Sequence, residues 1–271
     1  MLTIKTYRPK LLSPLVKSLW YMKVSEDLEQ PYIEEIIPDL HHEIIFQLNS
    51  AQSRQKGGDK DWVKDPEVYF AGQNSKSYKH QFSPGAIIYG VRFHPHTQAL
   101  FYNFPATLNT DTPIPLIDIA GNDTLLGCIS ESPQKTFANL ERELTKKASR
   151  LDIKSASFRY ADYMIHEILN YKGNIKISDF ERNLGVSGRY LGKVFNKFVG
   201  LNPKQFCNMV RFNHFVNIRK NNPGMPLTEC AYAAEFYDQS HLIRQSHIIT
   251  GKSPKSLFYY CNDINDHFLE N

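Results

Sequence analysis

The last hundred residues of the chain repeat themselves, and this limits the possible folds more than any other feature. Residues 177–206 read ISDFERNLGVSGRYLGKVFNKFVGLNPKQF, and residues 227–258 read LTECAYAAEFYDQSHLIRQSHIITGKSPKSLF. A shift of 51 pairs Leu191 with Leu242, Lys193 with Arg244, Gly200 with Gly251 and Pro203 with Pro254. Upstream, a shift of 50 pairs Ser178 with Thr228 and Phe180 with Cys230. The change of register falls where a loop absorbs one residue. A duplicated supersecondary unit is the simplest account of these matches.

Each half has the signals of two short helices around a tight turn. In the first, Ser178 followed by Glu181 predicts a capping box and a helix from about Asp179. Gly185 stands where a left-handed residue ends that helix. Ser187 then caps a second helix with Tyr190, Leu191, Val194, Phe195 and Phe198 on its apolar side. Its free side carries Gly188, Arg189, Gly192, Lys193, Asn196 and Lys197. In the second half Thr228 is the expected cap of a helix to about Ala234, and Asp238 that of another from Gln239 to about Ile249. Between the halves, Pro203 suits a first helical turn, Lys204–Lys220 continues it, and Asn221-Asn222-Pro223-Gly224 ends it. Such a strut spans roughly 26 Å, of the order that separates successive major grooves.

Charge supports a polyanionic partner for this part. Residues 172–271 hold 13 Lys+Arg against 8 Asp+Glu, whereas residues 1–171 are balanced at 19 against 20. The four cysteines (Cys128, Cys207, Cys230 and Cys261) form no zinc-ligand spacing and read as buried, reduced thiols. With no leader-like or membrane-length apolar run, a soluble cytoplasmic protein is expected.

The first part reads as β-rich. Ile33–Ile37, Glu43–Leu48, Val68–Ala71, Ser77–Phe82 and Ala86–Phe93 are short apolar runs between Pro, Gly, Asn and Asp clusters. Ser50–Asp61 reads as an exposed hairpin loop. After about residue 95 the period becomes helical, with Thr97–Phe104, Pro133–Lys147 and Ile153–Leu169 as the predicted helices.

At this level of detail the C-terminal hundred residues resemble the AraC/XylS transcription regulators. The resemblance rests on SGRYLGKVFNKFVGLNP (187–203), FYDQSHLIR (236–244) and TGKSP (250–254). The N-terminal part is similar to a sensor-type domain of some members through Arg8-Pro9, Trp20, Ile37–Asp39, Ala71–Gln73 and Gly90–Pro95. The resemblance implies an α+β protein. Residues 1–150 would form a β-rich, barrel or cupin-like domain for sensing or oligomerisation. Residues 151–264 would form an all-α DNA-binding domain: helix-turn-helix modules at about 177–200 and 227–251, joined by a linker helix at about 203–220.

By that family's docking pattern, Arg189, Gly192, Lys193, Gln239, Ser240 and Arg244 would meet base edges. Lys197, Lys204, His247 and Lys252 would contact phosphates. The partners implied are double-stranded DNA, a small-molecule effector, RNA polymerase and a second copy of the chain, with no membrane. No cofactor, metal or catalytic residue is expected. Four positions depart from the family pattern: Glu181 replaces a small residue, Glu235 a glycine, Ser246 a phenylalanine and His247 a lysine.

A different class of function competes. His41, His42, His94 and His96, with Glu34, Glu35 and Glu43, are the ingredients of a metal-dependent cupin-like enzyme, although adjacent His41 and His42 point to opposite faces of a strand. The aromatics Trp20, Tyr21, Tyr32, Phe46, Tyr69, Phe70 and Tyr89 are expected chiefly in the core, with a ligand cavity as the other use.

Overall fold

The computed structural model describes residues 2–49, 52–56, 61–130, 132–257 and 263–269. Among the described residues there are ten strands, the first nine ahead of any helix: β1 (Leu2–Tyr7), β2 (Val16–Val24), β3 (Tyr32–Ile36), β4 (His42–Leu48), β5 (Gln52–Lys56), β6 (Val63–Lys64), β7 (Val68–Ala71), β8 (Tyr78–Phe82), β9 (Ile87–Phe93) and β10 (Ile114–Pro115). They make an antiparallel six-stranded sheet of order β1-β2-β9-β4-β7-β10 and a four-stranded sheet of order β3-β8-β5-β6. Five of these strands fall on the five predicted runs.

The central strands of the larger sheet, β2, β4, β7 and β9, are covered on both faces, which is why they read as largely apolar runs. Leu19, Ile44, Phe46, Phe70, Tyr89, Val91 and Phe93 pack on Leu140 and Leu144 of helix α3 (Pro133–Ala148). Trp20, Met22, Ile45, Tyr69 and Ile88 pack instead with Phe82, Tyr32 and Ile36 of the smaller sheet. Gly90 is required by this second layer. A Cβ built on it would lie 2.0 Å from the Trp20 ring, so only glycine lets the indole lie across β9.

The expectation of a loop at residues 50–61 is corrected over its described part: residues 52–56 are β5, paired with β8. Gln52 and Arg54 point inward and are buried. Arg54 is compensated by Asp65 at 2.5 Å and stacks on Tyr69 and Tyr78. A strand whose inward residues are polar carries no apolar alternation to read. The remainder of the predicted loop lies largely outside the described residues.

Two short helices, α1 (Gln98–Tyr102) and α2 (Leu116–Ala120), precede α3. The helical part follows: α4 (Ala156–Asn170), α5 (Ile177–Leu184), α6 (Gly188–Val199), α7 (Pro203–Asn221), α8 (Leu227–Ala233), α9 (Gln239–Thr250), α10 (Pro254–Leu257) and α11 (Asp263–Leu269). Cys128, Cys207 and Cys230 are free and buried; Cys261 lies outside the described residues. Among the described residues no helix is long and apolar enough to cross a membrane.

One apolar core joins the two parts: Ile37, Leu40, Ala99 and Ala106 share it with Phe158, Phe198 and Val199. Polar contacts reinforce the junction. Asn213 on α7 donates to the Pro38 carbonyl at 2.9 Å, and Thr110 donates to the Gly200 carbonyl at 2.9 Å. Helix α11 returns to the small sheet, where the amides of Ile264 and Asn265 donate to the Glu34 carboxylate. The last turns of α6 and α9 are held in the same way. His42 on β4 donates from Nε2 to the Val199 carbonyl at 3.1 Å. Ser77, just before β8, donates from its amide to the Ile249 carbonyl at 2.7 Å, and its hydroxyl, which donates to Glu35 at 2.9 Å, lies 3.4 Å from the Thr250 carbonyl. Val199 and Thr250 are equivalent under the shift of 51. These contacts satisfy carbonyls that a helix end leaves without internal partners.

Candidate nucleic-acid interface

Helix α5 begins earlier than expected. Lys176 is its cap position, and the Asp179 carboxylate accepts the Lys176 amide at 3.4 Å. Ser178 therefore lies inside the helix and does not cap it. Glu181 is released for another role, accepting the Gly188 amide at 2.5 Å and so tying α5 to the first residue of α6 across the turn. The turn itself uses Gly185 at φ +65°. Ser187 caps α6 by accepting the Tyr190 amide at 3.4 Å.

Leu191, Val194, Phe195 and Phe198 bury the inner side of α6, whereas Tyr190, expected with them, is 42% exposed. Arg189, Lys193 and Lys197 are exposed on the outer side. Nothing stands within 4 Å of a Cβ built on Gly192, so this face is open to close approach.

Asn202 and Gln205 form a reciprocal capping box at the start of α7, the linker, at 2.9 and 3.3 Å. Its 19 residues span about 28 Å at 1.5 Å each. In the second module Pro226 holds the cap position of α8, so Thr228 is not the cap. The Thr228 hydroxyl donates instead to Gln239 Oε1 at 2.7 Å, engaging the carbonyl oxygen of a predicted base-reading amide. Asp238 caps α9 through the His241 amide at 2.6 Å, and it is the equivalent of Ser187 under the shift of 51. Ser240, Arg244 and His247 are exposed on α9.

Three of the four departures from the family pattern, Glu181, Glu235 and Ser246, have local explanations. Glu235 has φ +61°, matching Gly185 in the first module, so a residue with a Cβ occupies a left-handed turn position. Its carboxylate accepts from Asn174 at 2.8 Å. Ser246 is fully buried and donates to the Lys252 carbonyl at 2.7 Å, which satisfies its hydroxyl. Lys252, predicted to meet phosphate, is half-buried and ion-paired with Glu35 of β3. Lys204 is exposed at the first turn of α7.

Between the modules lies a cleft of about 530 Å³, bordered by the start of α5, one side of α7 and α9. Lys176, Lys204, Arg211, His241 and Arg244 line it, and no carboxylate does among the described residues. Lys176 and Arg211 were missed as sequence candidates, because nothing in local periodicity says that α5 and α7 share a wall.

The histidines of the enzyme alternative have separate partners. His41 donates to the Asp39 carbonyl at 2.7 Å, and His94 to that of Ser13 at 2.8 Å. His42 meets Val199, and His96 Nε2 lies 2.9 Å from Asp162. Burial lowers the pKa of all four. Among the described residues no group of three or more His, Cys, Asp or Glu is placed to hold a metal ion.

Comparison with known proteins adds two family matches. Residues 5–115 match a family described as a domain of unknown function, DUF6597, and residues 181–258 match the helix-turn-helix domain family. No curated protein matches the chain. Among solved structures, ToxT from Vibrio cholerae O395 is similar over 94% of this chain and 96% of its own, at 11% identity and a TM-score of 0.43. Unsaturated-fatty-acid-bound ToxT from strain SCE256 is similar over 94% of each chain, at 12% identity and a TM-score of 0.45. The AraC-like transcriptional activator CuxR is similar over 77% of this chain and 93% of its own, at 16% identity and a TM-score of 0.27. The chain thus carries a DUF6597 domain over residues 5–115 and, behind it, a helix-turn-helix domain of the AraC type over residues 181–258.

Proposed function

We propose that the protein is a sequence-specific transcription regulator, not an enzyme, whose α6 and α9 read successive major grooves of one DNA duplex. The division expected from the sequence, residues 1–150 for sensing or oligomerisation and 151–264 for DNA binding, is part of this reading. One observation carries it: the repeat equates Lys193 with Arg244 and Arg189 with Ser240, and all four are exposed on their helices. A solvated charged face on one helical hairpin needs no ligand. Two equivalent faces joined by a strut of grooves' spacing are accounted for by a duplex.

In this reading Arg189 and Lys193 supply base contacts on α6, and Ser240 and Arg244 supply them on α9. Gln239 retains its amide donors. Lys197, Lys204 and His247 supply phosphate contacts that set register.

In vitro selection from random duplexes tests this directly. An enriched site is expected, with affinity falling steeply as salt rises because counterions are released. Arg189→Ala or Lys193→Ala should each cost about 1–3 kcal/mol on that site and relax base preference. If both variants bind like the parent, α6 does not read bases.

A small-molecule effector has a candidate place between the two sheets. The cavity there measures about 80 Å³ and is lined by Trp20, Tyr69, Tyr78, His80 and Phe268, among others. Gln52, which also lines it, has a buried Nε2 with no partner among the described residues. Such a donor favours a compact ligand with a hydrogen-bond acceptor.

A further inference from the structure

We propose that the cationic cleft between the modules is a phosphodiester subsite, holding a backbone phosphate of the DNA segment that lies between the two read grooves. This rests on the DNA-reading assignment of α6 and α9 and adds a third point of contact that neither recognition helix supplies alone. The walls come from three elements. Lys176 precedes α5, Lys204 and Arg211 stand on α7, and His241 and Arg244 stand on α9. A ligand here therefore touches the first module, the linker and the second module together.

Two features mark the cleft as anion-binding. Its lining has positive side chains and, among the described residues, no carboxylate to neutralise them. Arg211 is also incompletely used. One of its terminal nitrogens donates to the Gly173 carbonyl at 2.9 Å, and its guanidinium lies 5.8 Å from the Phe236 ring centre. Its Nε–H is buried and has no partner among the described residues. A buried donor on a fixed cation calls for an acceptor. A phosphate oxygen is the acceptor whose charge and geometry match guanidinium best.

The position selects the source of that phosphate. Arg244 belongs both to the cleft wall and to the reading face of α9, so the cleft opens beside the groove that α9 enters. A duplex read by both modules on one face presents a minor groove, flanked by its two backbones, to whatever joins them. The joining element here is α7. The cleft also accommodates more than an isolated ion at about 530 Å³, the size range of sites that hold whole ligand groups.

The test uses the full chain and the duplex enriched by selection, synthesised with a single neutral methylphosphonate linkage moved through the segment between the two read sites. The parent protein should lose about five- to tenfold in affinity when one or two neighbouring linkages are neutralised, and be indifferent to the others there. The double variant K176Q/K204Q changes two exposed side chains. It should lose a similar factor on unmodified DNA, show a salt slope shallower by about 1, and lose little more on the neutralised duplex. Lys135→Gln, an exposed cation on α3, should behave as the parent. An enriched site whose binding ignores every intervening linkage overturns the cleft assignment while leaving the reading helices intact, as does strict additivity of variant and neutral linkage. A chain that enriches no sequence overturns the DNA reading itself.

Discussion

Gly185 and Glu235 hold the same turn in the two modules with nearly the same left-handed backbone, at +65° and +61°. For a residue with a Cβ that conformation costs roughly 1–2 kcal/mol, and the exposed hydrogen bond to Asn174 recovers only part of it. Glu235→Gly should therefore stabilise the protein by about 0.5–1 kcal/mol in urea denaturation; a loss of stability would show that the Asn174 contact dominates. A second residue-scale prediction concerns acid. His41, His42, His80 and His96 are all held below 6.5, chiefly by burial. The unfolded chain then binds more protons than the native one once pH drops past about 6.5, so stability is full above that value and declines below it. Asp65 and Asp162, held below 3.8, extend the loss into stronger acid. Denaturation midpoints at pH 7.5 and 5.5 should differ in that direction, and His42→Gln should narrow the difference. Caps at this scale were half legible. Ser187 and Asp238 fulfil the roles their spacing predicts, whereas Ser178 and Thr228 yield theirs because Lys176 and Pro226 already occupy the cap positions.

Elements were read well wherever a period survived burial. Strands β3, β4, β7, β8 and β9 and the helices from α3 to α9 follow runs of apolar residues. β5 escaped because its inward side chains are Gln52 and Arg54, and Arg54 finds its partners outside the strand, in Asp65, Tyr69 and Tyr78. Helix α11 escaped for a related reason. Seven residues carry too little pattern, and what fixes them is polar: Asn265 accepts the Ile37 amide at 2.9 Å and donates to the Glu35 carbonyl at 2.6 Å. Glu34 takes the α11 amides at 3.0 Å and is pushed above its ordinary pKa by burial. Asn265→Ala leaves these buried groups short of partners and should cost about 1–3 kcal/mol by chemical denaturation. A neutral outcome would mean that α11 merely rests on the sheet.

At the scale of the molecule, the repeat announced two modules but not how they are held. Docking of the N-terminal part onto α6 and α9 depends on pairs such as His42 with Val199 and Ser77 with Ile249, far apart in sequence and outside any local period. A core shared by Ile37, Leu40, Phe158 and Phe198 makes independent folding costly. A fragment of residues 151–271 should unfold at lower denaturant than the same segment in the full chain and bind an apolar dye; equal midpoints would contradict a shared core. The two holding points also go with different sheets: His42 lies in the six-stranded one, and Ser77 is the residue just ahead of β8 in the four-stranded one. Each of these two helices is thus fastened by its last turn to a different layer, so the interleaving of Trp20, Ile45 and Phe82 between the layers also sets how far apart α6 and α9 stand.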